Sequence, residues 1–180
     1  VYVDSELEQK VLRVSAILDG TDIDATKEKI TEIKYQKYFQ SLESPLIELQ
    51  ATYQTKEQLL STVISRLLDF GYVSSDYYES VTKRENLSPT AFGKLAIPHG
   101  DVSHVNNSTL VIVQLKEPIT WNNFPIELVC LFVATSNDLK KEKNSISHFY
   151  QQLADENFVE KLLGSKTREE IMYLLTLKNK

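Results

Sequence analysis

The 180-residue chain carries 20 Lys and Arg against 25 Asp and Glu, a formal net charge of −5 at pH 7, with 42% hydrophobic and 25% charged residues. That composition supports an ordinary folded core and excludes extended disorder or low complexity. The charge is spread, with 6 basic and 8 acidic residues in 1–40 and the rest in 41–180, so neither part offers the basic footprint that a nucleic-acid backbone or an anionic membrane attracts. One cysteine, Cys130, can form no internal disulfide and no multi-cysteine zinc site, which suits a reducing, cytoplasmic compartment. No apolar run reaches membrane-spanning length and no basic start precedes an apolar core, so membrane insertion is not expected. The chain starts at Val1, as expected of a piece of something longer.

Taken in order, residues 11–18 read as an extended segment closed by Asp19-Gly20-Thr21. Residues 23–39 place Ile23, Ile30, Ile33 and Tyr38 at roughly helical spacing, which predicts a helical connector with one narrow apolar stripe. The turn-formers of Gln40-Ser41-Leu42-Glu43-Ser44-Pro45 set a boundary between a leading unit, 1–40, and a main unit, 41–180. Residues 46–49 predict a strand. Thr55 and Gln58 form a capping-box pattern opening a helix whose apolar face holds Leu59, Leu60, Val63, Ile64, Leu67 and Leu68, with Gly71 at its end. A second helix is expected over 75–85, then a loop over 86–93 and the short apolar run Leu95-Ala96-Ile97, ending in Pro98-His99-Gly100.

Residues 109–115 and 126–134 are nearly continuous in apolar content and predict strands covered on both faces. Helices follow over 139–154, over 156–163 with Gly164 as the stop, and over 167–177, the last opened by a capping box of Thr167 and Glu170. Strands mixed with amphipathic helices predict an α/β fold.

Chemistry concentrates at His99. Pro98 stiffens the approach, and Gly100 permits a sharp turn or a close approach of backbone, so an imidazole is presented where an apolar strand meets a loop. Imidazole nitrogen is nucleophilic near neutral pH without a separate base and can accept a phosphoryl group if donors such as Arg84, loop amides or hydroxyls neutralise the oxygens. A histidine fixed structurally in a turn satisfies the same triplet equally well. His104, five residues on in a polar loop, lacks metal-ligand spacing and reads as solvated; His148 reads as a half-buried helix residue. Cys130, inside an apolar strand, reads as a small hydrophobe. Trp121 and Phe124, around Asn122-Asn123, read as loop aromatics closing the core, and Lys140-Lys141-Glu142-Lys143 as a solvated helix face. No cofactor and no metal site is expected.

The whole stretch Arg84-Glu85-Asn86-Leu87-Ser88-Pro89-Thr90-Ala91-Phe92-Gly93-Lys94-Leu95-Ala96-Ile97-Pro98-His99-Gly100 resembles the active-site segment of the mannitol/fructose class of enzyme IIA domains of the sugar phosphotransferase system. The likeness extends from the strand at 46–49 through Phe70-Gly71-Tyr72-Val73 to the helix start at Asp155-Glu156-Asn157-Phe158. It implies a mixed β-sheet sandwiched between helices, with an N-terminal helical extension. It further implies that His99 is a phosphoryl acceptor served by the histidine phosphocarrier protein, with Arg84 holding the phosphate and Thr90 as a loop donor. Transport members of the family carry a second histidine at the start of the helix corresponding to 139–154; aligning Ile146, Phe149 and Leu153 with that helix puts Glu142 at its position.

Residues 14–23 are similar to the end of the enzyme IIB-like domain of antiterminator/mannitol-activator type transcriptional regulators. That similarity implies a sensory domain whose phosphorylation alters contacts with upstream regulator domains, and it leaves a homodimer open. Two alternatives stand beside it: an enzyme IIA component passing phosphate to a IIB domain during sugar uptake, and an interaction module that is never phosphorylated.

Overall fold

The computed structural model describes residues 23–42 and 45–176. The extended segment expected over 11–18 and its closing turn lie outside the described residues. In chain order the elements are α1 (Ile23–Ser41), β1 (Leu46–Ala51), α2 (Lys56–Asp69), α3 (Tyr77–Leu87), β2 (Ala91–Phe92), β3 (Leu95–Ala96), β4 (Thr109–Trp121), β5 (Phe124–Val133), α4 (Ser136–Lys141), α5 (Lys143–Leu153), α6 (Glu156–Gly164) and α7 (Arg168–Thr176). The strands form one mixed sheet in the order β1-β4-β5-β3-β2. β1 runs parallel to β4 and β3 parallel to β5, whereas β4–β5 and β2–β3 are antiparallel.

Strand alternation divides the core into two layers. Leu110, Ile112, Leu128, Cys130 and Phe132 face one side and pack against apolar residues of α1, α5, α6 and α7. Val111, Val113, Val129, Leu131 and Val133 face the other, against Leu59, Leu60, Val63, Ile64 and Leu67 of α2 and Tyr77 and Val81 of α3. The expected sandwich is therefore present, with helices on both faces. Helix starts obey their sequence signals: Thr55 accepts from the Gln58 amide at 3.1 Å while the Gln58 side chain accepts from the Gln54 amide at 2.7 Å. Thr167 and Glu170 do the same at the start of α7, at 3.1 and 2.6 Å. Gly71, at φ +77°, ends α2 in a left-handed cap.

Three expectations are corrected. First, β4 and β5 continue through the stretch assigned to a loop, because Asn122 and Asn123 adopt φ of 49° and 75° and so join Trp121 to Phe124 in a two-residue hairpin of the kind right-twisted strands favour. Trp121 is consequently a fully buried strand residue. Second, the helix expected over 139–154 breaks at Glu142 into α4 and α5. Third, α1 packs through its last turns. Of the expected stripe Tyr38 is buried and Ile33 exposed, and Tyr35, Phe39 and Leu42, outside that stripe, are buried with Tyr38 in the core of the sheet. Phe39 lies 5.1 Å from the Phe149 ring and 6.0 Å from the Phe132 ring.

Such aromatic burial makes α1 part of the folded body. Phe39→Ala is expected to lower unfolding free energy in urea by about 3–5 kcal/mol, as for other buried Phe truncations; a loss below about 1 kcal/mol would mean that α1 is only tethered.

Candidate functional site

The site forms where the carboxyl ends of two parallel strands meet, the usual ligand position in open α/β sheets. β3 delivers Ile97, Pro98 and His99; β5 delivers Phe132 and Ala134. Ile97, His99, Phe132 and Ala134, with Tyr77, Gly100, Val102, Val105, Leu139 and Tyr150, line a largely apolar cavity of about 260 Å³. His99 is exposed and Pro98 buried, so the backbone is anchored on one side of the imidazole while the ring is open to a partner. Among the described residues no hydrogen bond or ion pair engages that ring.

Gly100 anchors the other side, for a reason different from a sharp turn. A β-carbon there would lie 2.7 Å from Ser80 Oγ, 2.7 Å from Tyr77 Cε2 and 2.8 Å from Val81 Cγ2, so the backbone after His99 touches α3 with no room for a side chain. Ser80 closes the contact: its hydroxyl accepts from the Asp101 amide at 3.0 Å and donates to the Tyr77 carbonyl at 2.7 Å.

Tyr77, Ser80, Val81, Arg84 and Glu85 follow the spacing of one helical face, which brings Arg84 and Glu85 to the loop before β2. Glu85 is buried, 1% exposed, and both its carboxylate oxygens are engaged. It accepts from Trp121 Nε1 at 3.0 Å, from the Thr90 amide at 3.2 Å and from the Thr90 hydroxyl. α3, the loop and the β4–β5 hairpin are thus joined at one buried group, as satisfaction of a buried carboxylate requires.

Thr90, expected as a donor at His99, spends its hydroxyl proton on Glu85 instead. Arg84 donates through Nη1 to the Ser88 carbonyl at 2.8 Å; no hydrogen bond joins it to His99. Glu142 also sits elsewhere. It faces a neighbouring polar groove with Tyr38, Ser41, Asn107, Ser108 and Asp138, and the residue of this segment that lines the His99 cavity is Leu139. The break before α5 carries Glu142 away from the cavity, and burial together with the Asp138 carboxylate holds its carboxyl above the usual range.

His104 lies in a 3₁₀ turn, Val102–His104, and its backbone carbonyl accepts from the Ser74 amide at 2.8 Å. His148 rests edge-on against Tyr35 with centroids 4.6 Å apart. Cys130 is buried, with its thiol pushed up to about 12. No group of three or more metal-ligating side chains occurs among the described residues, nor is any of their helices long and apolar enough to cross a membrane.

Sequence reading missed Glu85 as a structural anchor and Trp121 as its partner. The available signal was a carboxylate eight residues after Tyr77, on the same face as Val81, with the Asn-Asn pair that marks a hairpin further along.

Comparison with known proteins adds family evidence. The family described as "Phosphoenolpyruvate-dependent sugar phosphotransferase system, EIIA 2" matches residues 40–178. The chain is 29% identical to the probable licABCH operon regulator of Bacillus subtilis over 154 residues, 85% of this chain and 23% of that protein. It is 28% identical to the mannitol-specific phosphotransferase enzyme IIA component of the same organism, over 70% of this chain and 90% of that protein. Among solved structures, that of a complex of enzyme IIAMTL with phosphorylated enzyme IIBMTL from Escherichia coli superposes with a TM-score of 0.62 at 26% identity, covering 75% of this chain and 96% of that one. The chain therefore spans about a quarter of the operon regulator's length. Since 85% of 180 residues, 153, exceeds the 141 positions from 40 to 180, the match to the regulator reaches upstream of residue 40, into α1.

Two outcomes follow from the site's packing. Gly100→Ala should destabilise by about 1–3 kcal/mol through overpacking against α3, read as a lower urea midpoint, with an unchanged midpoint contradicting the close contact. Tyr150 is pushed up from 10.0 to about 12 and Cys130 from 9.0 to about 12 by burial. Unfolding releases both protons more easily, so their contribution is complete below pH 9 and is lost as pH rises toward 12. Stability should fall through that alkaline range, less steeply in Tyr150→Phe.

Proposed function

Because the chain belongs to the EIIA 2 family of the phosphoenolpyruvate-dependent sugar phosphotransferase system, we propose that it takes a phosphoryl group on His99 from the histidine phosphocarrier protein, as the sensory domain of a transcriptional regulator. The observation that carries the acceptor role is the setting of His99: an exposed imidazole on a backbone fixed by buried Pro98 and by Gly100 against α3. Fixed backbone and free ring are what in-line transfer needs, since phosphoryl transfer depends mainly on positioning and charge neutralisation. A ring nitrogen of His99 attacks phosphorus, a new N–P bond forms, and the N–P bond to the donor histidine breaks with its electron pair returning to that ring. Arg84 releases the Ser88 carbonyl and pairs with the phosphoryl oxygens, while Thr90 works indirectly, holding the loop through Glu85. Apolar residues at the rim, Val102 and Leu139, exclude water once a partner covers them.

The regulator assignment is supported by the match that extends into α1. In this reading residues 1–40 are the end of an upstream IIB-like domain with α1 as connector, the domain from 41 to 180 is the acceptor, and upstream regulator domains are its partners. The site supplies its chemistry without metal or cofactor, and the cytoplasm is where its donor is found. A transport component that hands phosphate to a IIB domain is the second reading, favoured by the resemblance to an enzyme IIA found in complex with phosphorylated IIB.

Incubation with phosphoenolpyruvate, enzyme I and phosphocarrier protein should add one acid-labile phosphoryl group to the intact mass, and none to His99→Ala. An equal gain in His99→Ala, or no gain in the unaltered chain, overturns the acceptor reading. Transfer onward to a cognate IIB as fast as acceptance would favour the transport component. Arg84→Gln should slow acceptance on the order of 10²-fold, the usual cost of one lost transition-state donor; an unchanged rate would remove Arg84 from the mechanism.

A further inference from the structure

The cavity beside His99 and the docking site of α1 share a wall. Phe132 lines the cavity, and its ring also meets Tyr38 and Phe39 of α1, with centroids 6.4 and 6.0 Å away. Leu139 of α4 lines the cavity too, while its neighbour Asp138 accepts a hydrogen bond from the Tyr38 hydroxyl at 3.2 Å. Tyr38, Ser41 and Leu42 of the α1 segment therefore border a polar groove of about 290 Å³ together with Asp138 and Glu142. Lys34, one turn before Tyr38, attracts Glu142 from the α1 side.

The parts of this wall are unequally held. Phe132 belongs to a central strand, whereas α4 has six residues and none of them is buried, so α4 is the piece that shifts at least cost. The α1–α5 contact is also imperfect. Tyr35 donates to Gln152 Oε1 at 2.7 Å, yet Gln152 Nε2 is buried without a partner among the described residues, which reduces the net gain from docking.

We infer that α1 is the output element of this domain: phosphorylation of His99 displaces α4, takes Asp138 from Tyr38, and loosens α1 from the sheet. The inference rests on His99 being the phosphoryl acceptor. A phosphoryl group brings about −1.5 to −2 charges at pH 7 to the Leu139 side of α4, whose other side presents Asp138 to α1, with Glu142 just past its end in the same groove. The new charge attracts Lys140 and Lys141 in the last turn of α4 and repels Asp138, so α4 turns about Leu139 and the Tyr38 hydroxyl loses its acceptor. α1 directly follows residues 1–22 in the chain, so its docking is read out upstream. By reciprocity, anything that seats α1 more firmly disfavours the phosphorylated state.

Hydrogen exchange on the 180-residue chain, with phosphorylation measured by intact mass on the same samples, tests the coupling. Amides of residues 35–41 should exchange at least about 5-fold faster in the phosphorylated protein, the lower end of typical coupling between sites. Tyr38→Phe, which removes the hydroxyl and keeps the ring, should raise their exchange before phosphorylation and shrink the further change on phosphorylation. A fully phosphorylated protein with unchanged exchange over 35–41 overturns the coupling and leaves the acceptor role standing. An equal rise in the β4 and β5 amides marks general destabilisation and also overturns it. A chain that gains no phosphoryl mass loses the acceptor role and the coupling together.

Discussion

Both faces of β4 and β5 are buried, Leu110 and Ile112 on one side and Val111 and Val113 on the other, so neither strand can be left against water and helices must close on both sides. On one side α3 lies so near the end of β3 that only a glycine fits at position 100. His99 is held between that contact and buried Pro98. Glu85 fixes the same helix to the loop before β2 and to Trp121 in the hairpin. The exposed imidazole thus owes its position to the packing of the sheet, through a short chain of contacts with few adjustable parts.

On the opposite face the same demand is met partly by α1. Tyr38 and Phe39 pack against Phe132, and Phe39 against Phe149 as well, which draws a helix that lies almost wholly upstream of the matched family segment into the core. The rigid support of His99 and the lightly held α4 differ in stability, and that difference suits a domain that receives a charge at one point and reports it at another. A transport component needs only the rigid half.

Much of this was legible in the sequence because the signals were local. The apolar runs at 109–115 and 126–134 read as strands buried on both sides, and both capping boxes and Gly71 act within one helical turn. His99 stood out through its neighbours Pro98 and Gly100. What was hidden depends on partners far away in the chain. Trp121 reads as a loop aromatic because its acceptor, Glu85, lies 36 residues earlier, beyond any local pattern. Gly100 reads as a site of sharp turning and close backbone approach to another molecule, and the close approach is to α3 of the same chain. Of the expected stripe on α1, Tyr38 packs on the sheet and Ile33 does not, because the space beside Phe132 and Phe149 takes the aromatic residues of the last turns. Glu142 was placed by alignment of the helix after it; the break between α4 and α5 turns it into the groove and leaves Leu139 at the cavity.

The acceptor role of His99 is tested most directly by locating the phosphoryl group. After incubation with phosphoenolpyruvate, enzyme I and phosphocarrier protein, peptides prepared at alkaline pH to preserve phosphohistidine should carry the modification on His99 alone, with His104 and His148 unmodified. Modification at His104 or His148 in place of His99, or at none of the three, would contradict it.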